Sequence, residues 1–100
     1  MTRKPNIPNL DCMPIEELRS FYEKYRTFYK LHKVTKKSRA ETLLGLARPD
    51  GEDIVEILAN FALNKLVAMQ ARLDGNVQTA IAFEKYAELA YKMLPKDCIW

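Results

Sequence analysis

The sequence predicts an all-α fold, a small four-helix domain, from three observations. Apolar residues recur at steps of three and four along several segments, which is the spacing of one face of a helix. Glycine, proline and asparagine cluster between these segments, and no stretch alternates apolar and polar residues as a half-buried strand does. A chain of 100 residues with 48% hydrophobic content can close one core. We therefore expect a single domain over 1–100, with helices at about 14–32, 38–48, 52–73 and 77–94.

The first helix is expected after an extended N-terminal arm, residues 1–13, whose prolines and asparagines disfavour regular structure. Pro14 suits the first position of a helix, where its missing N–H needs no partner. Glu16 and Glu17 then interact favourably with the positive end of the helix dipole. The apolar face that follows consists of Ile15, Leu18, Phe21, Tyr22, Tyr25, Phe28, Tyr29 and His32.

Turn residues predict the limits of the other helices. Ser38 and Glu41 have the spacing of a capping box, which opens a short second helix. Asp50 is placed to cap the third helix. Gly75 suits a left-handed C-cap of that helix, and Asn76 suits the N-cap of the fourth. The short turn between them predicts a long C-terminal antiparallel helical hairpin. The stripes expected to face the core are Ile54, Ile57, Leu58, Phe61, Ala62, Leu66, Met69 and Leu73, and then Val77, Ala80, Ile81, Phe83, Ala87, Ala90, Tyr91 and Leu94.

Two short motifs resemble known groups of proteins. Residues 73–87, from the Leu-Asp-Gly-Asn-Val turn onward, resemble the turn and second helix of a tetratricopeptide repeat. Gly75, Ala80 and Ala87 fall where that repeat has small residues, and the resemblance implies closely packed helices. The chain also resembles small all-helical proteins of phage and mobile-element genomes, which combine a late glycine-asparagine turn with a Tyr-x-x-Leu-Pro…Trp ending. Here these residues are Gly75, Asn76, Tyr91, Leu94, Pro95 and Trp100. That resemblance implies a helical fold and no particular chemistry.

Charge is distributed unevenly along the chain. Residues 1–50 hold 11 Lys/Arg and 6 Asp/Glu, a net charge of +5, whereas residues 51–100 hold 5 and 7, a net charge of −2, and these add to the total of +3. In helical projection four cations of the first helix fall within about 60°, beside the aromatic stripe. This basic ridge, with its extension into the next loop, consists of Arg19, Arg26, Lys30, Lys33, Lys36, Lys37 and Arg39.

The basic ridge has two interpretations. It could contact an anionic partner, with Tyr22 and Tyr29 as candidate stacking rings, or it could meet the acidic half of a second copy. Alternatively, the aromatic rings belong to the core and the cations form a solvated flank. We favour the second interpretation and retain nucleic acid as an alternative partner.

The sequence contains few candidate catalytic residues and no catalytic motif. His32 is the only histidine, and neither a nucleophile-elbow motif nor a glycine-rich phosphate loop is present. We assign His32 a structural role near a helix C-terminus, where a cation is favoured. The pairs Glu52/Glu56 and Glu84/Glu88 lack the Glu-x-x-His motif of helical metal sites. We expect no enzyme activity, metal, cofactor or small-molecule substrate.

The N-terminus, the apolar runs and the two cysteines indicate where the protein is located and whether its thiols are free. The N-terminus lacks the apolar core of a signal peptide, and no apolar run reaches the roughly 20 residues that span a bilayer. Cys12 and Cys98 are expected as free thiols, with a single bridge between them as the alternative. We expect a cytoplasmic protein with no membrane partner.

Trp100 lies in a C-terminal tail, residues 95–100, that follows the fourth helix. Tryptophan is favoured at binding hot spots, so Trp100 is a candidate anchor for a protein partner. The alternative is that it folds back over the core. The favoured function is a non-catalytic helical module that binds a protein partner or itself. The alternative is a small basic protein that binds RNA, or DNA without sequence preference, through the basic ridge over residues 19–39.

Overall fold

A computed structural model gives the fold of residues 7–35, 39–45 and 48–100, with the backbone alone described for 28–35, 39, 42 and 43. The elements in chain order are a first 3-10 turn (Leu10–Cys12), α1 (Ile15–Thr35), α2 (Arg39–Leu44), α3 (Gly51–Leu73), α4 (Val77–Lys92) and a second 3-10 turn (Lys96–Cys98). The residues described here contain helices and no strand, which confirms the all-α class.

The central element is α3, which packs against α1, α2, α4 and the first 3-10 turn. Its apolar residues point to more than one side, and Val55, Leu58 and Ala62 are fully buried. The other elements supply the rest of the core through Leu10, Leu18, Phe21, Ala40, Ala87, Ala90, Leu94 and Cys98. A helix that is covered on several sides needs apolar residues around most of its circumference.

The length and composition of α3 would also suit a membrane span. An 18-residue window within it has a mean hydropathy of 1.3, and 44% of that window is buried inside the structure. This helix was predicted from the sequence but a membrane span within it was not, because Glu56, Asn60 and Lys65 interrupt the apolar run. In the fold, the apolar surface of α3 is used by its helical neighbours.

The turn between α3 and α4 confirms the predicted caps and the helical hairpin. Gly75 has φ +79°, a left-handed conformation that favours glycine. The N–H of Asn76 donates to the Ala71 carbonyl at 2.8 Å and that of Gly75 to the Arg72 carbonyl at 3.1 Å, the hydrogen bonds of a Schellman motif. The Asn76 side chain then accepts from the Thr79 N–H at 3.4 Å and caps α4.

Several predicted helix limits are corrected. α1 continues to Thr35 rather than 32, because the β-branched residues there lower helix propensity by only a few tenths of a kcal/mol. α2 ends at Leu44 rather than 48, since Gly45 has φ +65°. α4 ends at Lys92 rather than 94, because a residue before proline disfavours the helical conformation. Ser38, half of the predicted capping box, lies outside the described residues.

Asp50 occupies the N-cap of α3 but its side chain makes no capping hydrogen bond, so that part of the prediction is wrong. Its carboxylate instead accepts two hydrogen bonds from Arg48, from Nε at 2.5 Å and from Nη2 at 3.0 Å. Only its backbone carbonyl serves the helix, accepting from the Ile54 N–H at 3.0 Å. The guanidinium competes successfully because two hydrogen bonds between opposite charges are stronger than the single bond that a carboxylate cap accepts from a backbone N–H.

Some apolar residues are buried where the sequence did not predict it, and others are exposed. The expected extended arm contains the first 3-10 turn, and Leu10 in that turn is fully buried in the main core. Conversely, Leu73, Val77 and Ile81 from the predicted inward stripes are 74%, 51% and 45% exposed. All three lie near the hairpin turn, Leu73 at the end of α3 and the other two in the first turns of α4.

Candidate interaction surfaces

The first candidate surface is the basic ridge on α1, of which Arg19 and Arg26 are exposed. The neighbouring aromatic residues pack on the core: Phe21 is 8% exposed, and Tyr22 and Tyr25 are partly buried against the same cluster. The rings of these two tyrosines lie 6.2 Å apart. These three aromatic residues therefore contribute to the core, and Tyr22 stays partly exposed beside the cations.

The rest of the basic ridge is described less fully. Lys30 and Lys33 lie on α1 and Arg39 is the first residue of α2, but their side chains are outside the described part, as is that of Tyr29. Lys36 and Lys37 lie outside the described residues altogether. The structure therefore places two of the seven cations on one exposed side of α1.

Trp100 folds back over the protein's own core, which was the alternative to its role as an anchor. Its ring meets Phe61 edge to face, with centroids 5.1 Å apart, and lies 4.6 Å from the ring of Tyr91. The Tyr91 hydroxyl donates a hydrogen bond to the Trp100 carbonyl at 2.7 Å. A groove of about 380 Å³ lies beside these rings, and its rim includes Lys65 and Glu84.

The groove rim is held by ion pairs within the molecule. Lys65 pairs with Asp11 at 2.9 Å, and Arg72 pairs with Glu84 at 2.5 Å. These contacts connect the first 3-10 turn to α3, and α3 to α4. The charges of the rim thus have structural partners.

A second tie holds the tail through Arg48. Besides its bonds to Asp50, Arg48 donates from Nη1 to Asp97 at 2.6 Å. We name Arg48, Asp50 and Asp97 the C-terminal latch. Hydrogen bonds to the two carboxylates raise the pKa of Arg48, and the bond from Arg48 lowers the pKa of Asp97. The latch therefore connects the residues before α3 to the tail that follows α4.

Cys98 lies next to the latch and is fully buried, whereas Cys12 is exposed. Burial raises the pKa of the Cys98 thiol above its ordinary value. The thiol donates to Asp97 at 3.6 Å and accepts from Arg48 Nη1 at 4.0 Å. Both cysteines are free thiols, and Cys98 is a core residue rather than a reactive one.

The outer face of α4 carries a second apolar stripe, which the sequence analysis did not identify. Four residues spaced 4, 3 and 4 apart fall within about 60° in projection. We name this stripe the α4 outer seam: Ala82, Tyr86, Leu89 and Met93. Tyr86, Leu89 and Met93 are 52%, 58% and 69% exposed. The spacing was present in the sequence, but a spacing alone does not say which of two stripes meets the core.

Opposite charges line the two edges of the outer seam at its C-terminal end. On one edge lies a cleft of about 450 Å³, which we name the acidic cleft. Its lining includes Asp50, Asp53 and Glu56 around Ile57, with Met93 on the other wall. On the other edge, Lys92 is exposed and pairs with Glu88 of the same helix at 3.4 Å. Met93 thus belongs to both the outer seam and the acidic cleft.

The described residues contain no group of three or more His, Cys, Asp or Glu side chains placed to hold a metal ion. The side chain of His32 is outside the described part. No family model, curated protein or solved structure matches this chain. The resemblances to a tetratricopeptide-repeat hairpin and to phage and mobile-element proteins therefore stay predictions.

Proposed function

We propose that this chain is a non-catalytic binding module, folded as a small four-helix domain, that contacts a protein partner or a second copy through the outer face of α4. The α4 outer seam is the observation that carries the proposal. Its three large side chains are more than half exposed, while Ala80, Ala87, Ala90 and Leu94 supply the inner face of the same helix. Tyr86 makes an edge-to-face contact with Phe83 of the same helix, at 5.4 Å between ring centroids. The exposed part of the outer seam is therefore apolar surface that the fold itself does not cover.

The size of the outer seam supports binding. An aromatic side chain buries roughly 150–250 Å² when fully covered, and Leu and Met bury somewhat less, so the half to two-thirds exposed Tyr86, Leu89 and Met93 together offer roughly 300–400 Å² of surface. Exposed patches of about 300–600 Å² on single chains are often functional. The small Ala82 at one end and the flexible Met93 at the other would let a partner helix approach closely and adjust its packing.

Site-specific photocrosslinking tests this proposal. A photoreactive residue at Leu89, in cells that make the protein, should give a crosslinked species. The matched control is the same residue at Ser20, which is exposed on α1. Adding Met93→Glu should suppress the crosslink from position 89, because a charge then enters the seam. No crosslink from position 89, or equal crosslinking from both positions, contradicts the proposal.

A second candidate function is binding of RNA or non-specific DNA through the basic ridge. Its support is the exposure of Arg19 and Arg26 on one side of α1, beside the partly exposed ring of Tyr22. For single strands, each phosphate contact adds about −0.7 to the slope of the logarithm of the association constant against the logarithm of the salt concentration.

Binding to short RNA and DNA is therefore measured from low to physiological salt. The double variant Arg19→Glu and Arg26→Glu should weaken binding and flatten the salt slope. The matched control reverses two exposed lysines elsewhere, Lys85→Glu and Lys96→Glu, with the same change of net charge. This function fails if nothing binds at low salt, or if the two double variants weaken binding equally.

A further inference from the structure

We propose that the α4 outer seam binds a second copy of this chain, with the two α4 helices side by side and parallel. This inference rests on the proposed function, since it names the partner of the same surface. The charges on the two edges of the seam, the symmetry of a homodimer and the spacing of the seam residues support it.

The charges on the two edges lie at the same height along α4. α3 and α4 form an antiparallel hairpin, so the first turns of α3 stand beside the last turn of α4. The acidic cleft shows this directly, because Asp53 and Glu56 line it together with Met93. Lys92 precedes Met93 and projects about 100° away from it, toward the opposite edge. Carboxylates, Met93 and an ammonium group therefore follow one another across the surface.

Two-fold symmetry turns this order into complementarity. A two-fold axis parallel to α4 places the lysine edge of each copy opposite the acidic edge of the other, so that each Lys92 faces Asp53 and Glu56 of the second copy. An axis perpendicular to α4 would make the helices antiparallel, place the lysine edges of the two copies on the same side and move each Lys92 away from Asp53 and Glu56 of the other copy. The charge order thus favours a second copy as the occupant and parallel helices as the orientation.

The seam spacing agrees with parallel pairing. Steps of 4, 3 and 4 are those of the a and d positions of a coiled coil, where each residue packs beside its own counterpart in a parallel dimer. The ion pair between Glu88 and Lys92 does not prevent Lys92 from contacting the second copy, because both side chains are about 65% exposed and exposed ion pairs are weak. The two seams together bury roughly 600–800 Å², below the roughly 1,600 Å² of a standard interface, so we expect a weak dimer that depends on concentration.

Sedimentation velocity over a range of concentrations tests the self-association. The wild type should pass from monomer to dimer, and Leu89→Glu should stay monomeric. The matched control is Leu73→Glu, which places the same charge on a residue that is 74% exposed at the far end of α3. This control should dimerise as the wild type does. Circular dichroism of both variants shows that the fold is retained.

Charge reversal tests the edges of the seam. Lys92→Glu, or Asp53→Lys with Glu56→Lys, should raise the dissociation constant severalfold, because like charges then face each other. Combining all three changes should bring it back toward the wild-type value. Equal dissociation constants in all four proteins would overturn the edge contacts.

Disulfide trapping tests the orientation, with the exposed native thiol removed by Cys12→Ser. In parallel pairing, Ala82→Cys crosslinks to itself across the dimer. In antiparallel pairing, Ala82→Cys crosslinks instead to Met93→Cys of the other copy, which would overturn the inference. A chain that stays monomeric at all concentrations also overturns it. If the chain is monomeric but position 89 still photocrosslinks to a different protein, the proposed function stands and only this inference fails. If the chain is monomeric and position 89 gives no crosslink, both fail.

Discussion

Replacing Trp100 with alanine should destabilise the isolated protein, because the structure makes this residue part of the core. The substitution removes an edge-to-face contact with Phe61 at 5.1 Å and a contact with Tyr91 at 4.6 Å. Each aromatic pair contributes about 0.5–1.5 kcal/mol beyond burial. Removing a fully buried tryptophan costs about 3–5 kcal/mol, and the partial burial of Trp100 lowers this to about 2–3 kcal/mol. At about 4–8 °C per kcal/mol, the midpoint of thermal unfolding should fall by roughly 10–20 °C.

Urea unfolding followed by circular dichroism measures this change. Two comparisons separate the contributions. Tyr91→Phe keeps the ring contact and removes only the hydrogen bond to the Trp100 carbonyl, so it should cost about 1 kcal/mol. Ile99→Ala changes a neighbour that is 41% exposed and should cost less than Trp100→Ala. A stability of Trp100→Ala within about 0.5 kcal/mol of wild type would refute the packing of the tail and restore Trp100 as a candidate anchor.

Three further outcomes are expected. Leu10→Ala should cost about 2–5 kcal/mol in urea unfolding, because Leu10 is fully buried in the main core. Gly75→Ala should cost about 1–2 kcal/mol by the same measurement, since φ is +79° and no atom lies within 4 Å of an added Cβ, so the cost is that of the backbone. Asp97→Asn should destabilise the protein at neutral pH and have little effect well below pH 4. The folded state lowers the pKa of Asp97, so the stabilising contribution of this carboxylate is present above its ordinary pKa of about 4 and is lost as the pH falls through the folded-state pKa. Urea unfolding of both proteins at neutral and at acidic pH measures the difference.

The features that the sequence predicted correctly are those encoded by neighbouring residues. The turn between α3 and α4 is the clearest, because Gly75 and Asn76 specify their conformations through the backbone freedom of glycine and the short side chain of asparagine. Such preferences act over four or five residues, and the hairpin follows from them with the helical periodicity on either side.

The features that could not be predicted join residues far apart in the sequence. Arg48 and Asp97 are 49 positions apart, and Lys65 and Asp11 are 54 apart. No local pattern marks these pairs, and the bond between Arg48 and Asp50 even replaces a cap that the local pattern favoured. Only the packing of the tail and of the first 3-10 turn on α3 brings such side chains together.

The candidate site shows a different limit of sequence reasoning. The apolar residues of α4 form two stripes, and the inner one consists largely of alanines while the outer one holds Tyr86, Leu89 and Met93. A ranking by hydrophobicity would place the larger residues inside. The close approach of α3 and α4 selects the small residues instead, and leaves the larger ones on the surface.

The most direct measurement of the central claim is the concentration dependence of the backbone amide chemical shifts. A weak dimer through the outer seam predicts progressive shifts between roughly 20 µM and 1 mM, the range suited to a small interface. These shifts should lie at Ala82, Tyr86, Leu89 and Met93 and at Asp53 across the acidic cleft, while the exposed residues of α1 stay unchanged. Spectra that do not change with concentration, or shifts that lie on α1 instead of α4, would contradict the account.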